Sequence, residues 1–183
     1  MKKILFAVML FVTMGLNAQS VVSFKLTQTG SFVADDGKDF VVVPFEGKTA
    51  HQIFQQISVN ANALYKNPSK VMSVVDDASI TIRGYQSKFT YTKFMMEKLW
   101  ISGYYNLNFQ IKDGRVKVSA PIIDEVELNE RTSSHFSWEV EKWFKDGVPQ
   151  KKAEERIELV ENKMNTLINA LLNSSNSKTE EDW

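Results

Sequence analysis

Cysteine is absent from the sequence. Disulfides, thiolate metal sites and cysteine nucleophiles are therefore excluded, and stability must come from packing and hydrogen bonding. Histidine occurs only as His51 and His135. Neither has a second ligand at helical spacing, so both read as surface histidines and no metal or cofactor is expected. Glycine is limited to 8 residues, and none of the GxGxxG, Walker or GxSxG loops can be traced. Net charge is also missing. Lys and Arg total 22 against 22 Asp and Glu, which gives no general attraction to nucleic acid or anionic lipid.

Long apolar runs are lacking too, with one exception at the start. Lys2 and Lys3 precede a run from Ile4 to Leu16, and Asn17-Ala18-Gln19 follows with small Ala18 before a cleavage point. That pattern is a secretory signal over residues 1–18. The run is shorter than the ~20 residues a membrane-spanning helix needs, so no transmembrane segment is expected. No cysteine lies near the cut to carry a lipid. The expectation is a soluble exported protein, periplasmic or extracellular and not a lipoprotein. Taking Lys2 and Lys3 from 22 basic residues leaves 20 against 22 acidic ones in the mature chain.

What is present is best read from one hairpin. Asp113-Gly114 is a two-residue turn pair whose central residues are expected at positive φ. Closing it pairs Lys112 with Arg115, Ile111 with Val116, Gln110 with Lys117 and Phe109 with Val118; Asn108 then meets Ser119, and Leu107 meets Ala120. This register puts all apolar residues on one face and all polar ones on the other.

Upstream, Val22, Phe24 and Leu26 alternate with polar residues as a short strand within an N-terminal extension, residues 19–38. Asp35-Asp36-Gly37-Lys38 reads as a turn. Residues 39–45 read as a strand that Pro44 confines to an edge or ends. Thr49 and Gln52 form a capping box for a helix over 49–66, stopped by Asn67-Pro68. Residues 71–75 and 79–85 make a hairpin across Asp76-Asp77-Ala78.

The stretch 87–104 fits neither period well and reads as a connection with one or two helical turns. Residues 122–130 are expected to leave the sheet. Phe136, Val140, Trp143 and Phe144 mark a short amphipathic helix stopped by Asp146-Gly147. A stripe of Ala153, Ile157, Val160, Met164, Leu167, Ile168 and Leu171 marks a long helix over 150–173. Residues 174–183 are a polar acidic tail. The order is that of an α+β domain: a curved antiparallel sheet with two main helices on one face.

Several phrases carry a family resemblance. They are Val43-Pro44-Phe45-Glu46-Gly47-Lys48-Thr49 entering the first helix, Val71-Met72 opening the next strand, residues 110–118 of the hairpin, and the long last helix. Over roughly residues 39–173 the chain resembles DUF4468, a family of exported Bacteroidota proteins of unknown function with a TBP-like fold. The resemblance implies that fold, in the order β-α-β-β-β-β-α. It supplies no catalytic residues, because the family has none assigned. The N-terminal strand and the aromatic-rich 87–104 stretch depart from the family's minimal pattern.

Two surfaces are candidates for binding. The polar face of the hairpin and its neighbour carries Arg83, Gln110, Lys112, Arg115 and Lys117, with no acid among them. It reads as a solvated sheet face or as a surface for an anionic or polar partner. The 87–104 stretch offers Phe89, Tyr91, Phe94, Met95 and Trp100, either as a flap over the core or as a contact for another envelope protein or a lipid surface. The aspartate pairs at 35–36 and 76–77 read as turn formers. Function is expected to be a non-enzymatic binding or envelope-interaction module, with no nucleic acid as partner. A hydrolase of envelope polysaccharide or peptide is the alternative, and would need groups such as Glu46, Asp76, Asp124 or Glu125 to converge. A purely structural assembly role is the third reading.

Overall fold

The computed structural model describes residues 21–95 and 97–173; the expected signal sequence and polar tail lie outside them, as does the side chain of Phe94. The N-terminal extension is a hairpin, β1 (Phe24–Leu26) and β2 (Phe32–Ala34). Next come β3 (Phe40–Pro44), α1 (Ala50–Leu64), a one-turn α2 (Pro68–Val71) and β4 (Met72–Val75). Two long strands, β5 (Ser79–Phe94) and β6 (Glu97–Lys112), lead into β7 (Arg115–Ser119), β8 (Ile122–Leu128) and β9 (Thr132–His135). The chain ends with α3 (Phe136–Glu141), a small hairpin of β10 (Phe144–Lys145) and β11 (Val148–Pro149), and α4 (Glu154–Leu172).

The main sheet is antiparallel, curved and not closed, in the order β3-β7-β6-β5-β4. β6 is its spine. Its second half pairs with β7 and its first half with β8, which in turn pairs with β9. Ile80, Ile82, Leu107, Phe109, Val116 and Val118 are buried on the face that meets Ile53, Ile57 and Ala61 of α1 and Ile157, Val160, Met164 and Ile168 of α4. At roughly 1.5–3 kcal/mol for each large apolar side chain removed from water, this interface supplies most of the driving force. The fold is the expected α+β arrangement, with Pro44 closing an edge strand.

Local chemistry explains the helix start. Thr49 accepts from the Gln52 amide, and the Gln52 side chain accepts from the Thr49 amide at 2.9 Å, so both arms of the capping box are made. The Asp113-Gly114 hairpin keeps the register expected for its first four pairs. Its turn geometry differs. Gly114 has φ +73°, whereas Asp113 is not at positive φ. The turn is pinned from outside instead: Asp113 Oδ1 accepts from the Ala50 amide at 2.6 Å, and the Gly114 amide donates to the Lys48 carbonyl at 2.9 Å. These bonds tie the hairpin tip to the N-terminus of α1.

Three expectations are corrected. Residues 87–94 and 97–104 are strand, not a connection with helical turns. Their period is broken because the β5–β6 register shifts between Gln86 and Thr90, where Lys88 has φ +49°. Beyond the shift Phe89, Thr90 and Tyr91 are all buried, which no simple alternation would show. Residues 122–128 stay in the sheet as β8, because β7 is too short to cover the whole of β6. Asp146-Gly147 does not simply stop a helix. Both residues have positive φ, and they turn the β10–β11 hairpin after α3 has already ended.

The N-terminal hairpin is attached by side chains. Along α4, Glu161, Asn165 and Asn169 stand four residues apart. Glu161 accepts from the Leu26 amide at 2.8 Å, Asn165 from the Phe24 amide at 2.9 Å and Asn169 from the Val22 amide at 2.9 Å. Asn165 and Asn169 also donate to the carbonyls of Phe24 and Val22. Four helical residues rise ~6 Å and two strand residues ~6.8 Å, so the spacings match. One edge of β1 is thus satisfied by a carboxylate and amide side chains from a helix, as its other edge is by β2.

Candidate functional site

Among the described residues the helices pack on the core face of the main sheet, and the second face carries none. Direct cross-strand pairs share a face, so the pairings place Arg115 and Lys117 of β7 beside Lys112 and Gln110 of β6. Asn108, Asn106 and Tyr104 of β6 lie beside Thr81, Arg83 and Tyr85 of β5. Val42 of β3 flanks Lys117. Gln110, Lys112 and Arg115 are exposed, as are Tyr85 at 42 % and Tyr104 at 50 %. All five candidate residues of this face, Arg83, Gln110, Lys112, Arg115 and Lys117, therefore come together on one surface.

Its electrostatics are one-sided. Among the described residues, none of the four cations is in an ion pair; the ion pairs present involve Lys25, Lys38, His51, Lys98 and Lys142. Asp113, next to Lys112 in the chain, is directed to the α1 amide instead. At the far end Glu127 of β8 accepts from Tyr85 Oη at 3.0 Å. Burial outweighs the lowering bond from Ser102 and holds the Tyr85 phenol above its usual range, with Glu127 adding to the shift.

Two aromatic contacts shape the cations. The Arg83 guanidinium lies 5.3 Å from the Tyr104 ring centre, and Tyr104 meets Tyr85 edge-on at 5.1 Å. Lys117 sits 4.5 Å from the Phe40 ring. Such contacts hold a long side chain over the sheet while leaving its charge unneutralised. The two tyrosines and Phe40 did not stand out in the sequence. Their signal was positional: each falls one residue out of phase with the buried set.

The second candidate surface divides differently. Phe89 and Tyr91 are buried, at 1 % and 2 % exposure; Phe89 meets Phe136 at 5.8 Å and Tyr91 meets Trp100 at 5.8 Å. Trp100 is half-buried, and Met95 at the hairpin tip is 87 % exposed. The arm is thus clasped to the body: Thr90 donates to the Arg156 carbonyl at 2.9 Å and Tyr91 to Glu155 at 2.8 Å. Beneath it Arg156 is buried with its guanidinium 5.3 Å from the Trp143 ring; its Nη2 reaches the Lys152 carbonyl while its Nε and the Trp143 Nε1 have no partner among the described residues.

The acidic residues that a hydrolase would need do not share a cleft. Glu46 and Asp76 are exposed in turns, and Glu125 is exposed on β8 opposite His135. Asp124 lines a cleft of about 530 Å³ with Asp39, Ser119, His135 and Ser137. His135 stacks edge-on with Trp138 at 4.4 Å, and His51 Nδ1 pairs with Asp77 at 2.8 Å. Among the described residues no three His, Asp or Glu side chains are grouped to hold a metal ion, and no helix is long and apolar enough to cross a membrane.

Sheet, helical layer and bare face together define an α+β protein with one side of its sheet open. No family model matches the chain, and no curated protein does. Among solved structures the chain is similar to a TBP-like protein from Parabacteroides distasonis, at 14 % identity and a TM-score of 0.47 over 74 % of this chain and 92 % of that one. It is similar also to a DUF4468 family protein from Bacteroides ovatus, at 16 % identity and a TM-score of 0.45 over 72 % of this chain and 77 % of that one. The names TBP-like and DUF4468 are those of the fold and family that the sequence resembles.

Proposed function

We propose that the chain is an exported, non-enzymatic binding module that engages an anionic or polar partner through the open face of its sheet. One observation carries this reading: Arg83, Lys112, Arg115 and Lys117 gather on a single face, and among the described residues none of them is in an ion pair. A protein surface usually intersperses charges of both signs. A one-sign patch on a chain without net charge is a local feature that attracts counter-ions and anionic ligands.

The test is retention of the mature chain on a sulfated matrix at low salt. With acids in slight excess over bases, the chain as a whole gives no reason for retention, whereas the patch does. The wild type is expected to be retained and the double variant Arg83→Glu, Lys117→Glu to pass through. Identical elution of the two would remove this face as the site.

A further inference from the structure

We infer that the occupant of the open face is a linear acidic glycan, a polymer of sugars bearing carboxylates, laid along β6; the inference rests on reading that face as a binding surface. The outer row of β6 is Tyr104, Asn106, Asn108, Gln110 and Lys112. Alternate strand residues stand ~6.8 Å apart, so the row is about 27 Å long. Three successive carboxamides form its middle. Each offers a donor and an acceptor together, which suits sugar hydroxyls, themselves donors and acceptors.

The amides are also available. Asn108 Nδ2 donates to Thr81 Oγ1 at 2.8 Å, which fixes its orientation and leaves its oxygen to accept from a ligand. Asn106 and Gln110 have no protein partner among the described residues. At one end Tyr85 and Tyr104 provide half-exposed rings on which the apolar face of a pyranose can rest.

Charge spacing favours the same ligand. Arg83 stands at the level of Asn106, Lys117 at the level of Gln110, and Arg115 at the level of Lys112. Along the strand these levels are about 14 Å and then about 7 Å apart. One cation at the Asn106 level, one at the Gln110 level and two, Lys112 and Arg115, at the next match a chain with one carboxylate every one or two sugars. They match a nucleic acid poorly, since a duplex carries a phosphate every ~3.4 Å on each strand. A peptide recognised by a sheet generally pairs with its edge rather than lying across its face.

The experiment measures affinity of the mature chain for four probes: polygalacturonate, the same polymer with its carboxyls reduced to alcohols, single-stranded DNA, and phosphatidylglycerol vesicles. Tyr104→Ala and Gln110→Ala keep the charge constant, and their melting temperatures check that the fold is retained. Polygalacturonate is expected to bind, about tenfold tighter than its reduced form, and each neutral variant to weaken it about threefold or more. Absence of polygalacturonate binding overturns the glycan inference. So does equal binding of DNA or vesicles, or affinity indifferent to both neutral variants; in those cases retention on the sulfated matrix would still support the binding face. Loss of that retention as well would bring down both.

Discussion

The hydroxyl of Tyr105 occupies the space in which a side chain at residue 84 would begin: a Cβ added to Gly84 would lie 2.1 Å from Tyr105 Oη. The two residues are direct partners across β5 and β6, and Tyr105 reaches past Gly84 to share a hydrogen bond of 2.8 Å with Tyr65 after the end of α1. Gly84→Ala is therefore expected to displace the ring, break the Tyr65 bond and destabilise the protein by about 2–4 kcal/mol, from overpacking and a lost buried bond together. Chemical denaturation reads the loss, and an unchanged midpoint would show that the ring has another place to go.

The same phenol pair sets an alkaline limit. Burial raises the Tyr105 ionisation above the ordinary 10.0, and burial together with the shared hydrogen bond raises Tyr65 further. A folded-state value above the unfolded one means that the contribution is complete below pH 10 and is lost as pH rises beyond it. Stability should fall above about pH 10. The variant Tyr65→Phe, Tyr105→Phe should show a shallower fall, not a flat one, because burial also raises Tyr85 and Tyr91. Melting temperatures from pH 8 to 11 decide the matter.

Glu161 is the acidic member of the ladder that holds β1. Burial raises its carboxyl above the ordinary carboxylate value of 4.5, opposed by the Leu26 amide and Lys25. A raised value means that the wild type loses stability as pH climbs through 4.5 and the folded value, then stays level. Glu161→Gln keeps an oxygen for the Leu26 amide without the charge. It should be more stable than wild type at pH 7, with the advantage gone by about pH 3. An advantage that persisted at low pH would point to a cause other than ionisation.

Asn165→Ala removes both the acceptor of the Phe24 amide and the donor to the Phe24 carbonyl. The expected cost is about 1–3 kcal/mol, the range for leaving buried peptide groups unpaired. Hydrogen exchange should show it first at Val22, Phe24 and Leu26, with the β5–β6 amides still protected. Uniform loss of protection would mean that the N-terminal hairpin and the sheet open as one unit.

Arg156 is a buried cation in no ion pair among the described residues; burial pushes its ionisation down, opposed by the charges of Tyr91 and Glu155. Arg156→Met retains volume and removes the desolvation cost, so a gain on the order of 1 kcal/mol is expected in denaturant. A loss instead would show that the Trp143 stacking and the Lys152 carbonyl bond outweigh it.

Much of this architecture was legible because local signals agreed with one another. Thr49 and Gln52 announce α1 by side-chain bonds that span three residues, and Asp113-Gly114 sets a register that the alternation on either side enforces. The misread segments are those in which a distant partner overrides the local pattern. Phe89, Thr90 and Tyr91 are buried together because α3 and α4 enclose the arm, and no window of sequence around residue 90 contains those helices. β8 looked solitary because its partner, the first half of β6, was itself unassigned. On the open face the cations could be found from the period of two. Tyr85, two residues after Arg83, and Tyr104, two before Asn106, follow the same period and pair ahead of the register shift.

The bonds between Val22 and Asn169 join residues 147 positions apart. The first strand to be synthesised thus waits for the last helix before one of its edges is satisfied. A chain emerging N-terminus first holds an incomplete structure until its final turn of helix is free. Closure between Val22 and Asn169 ties the two ends of the described chain together without a covalent bond.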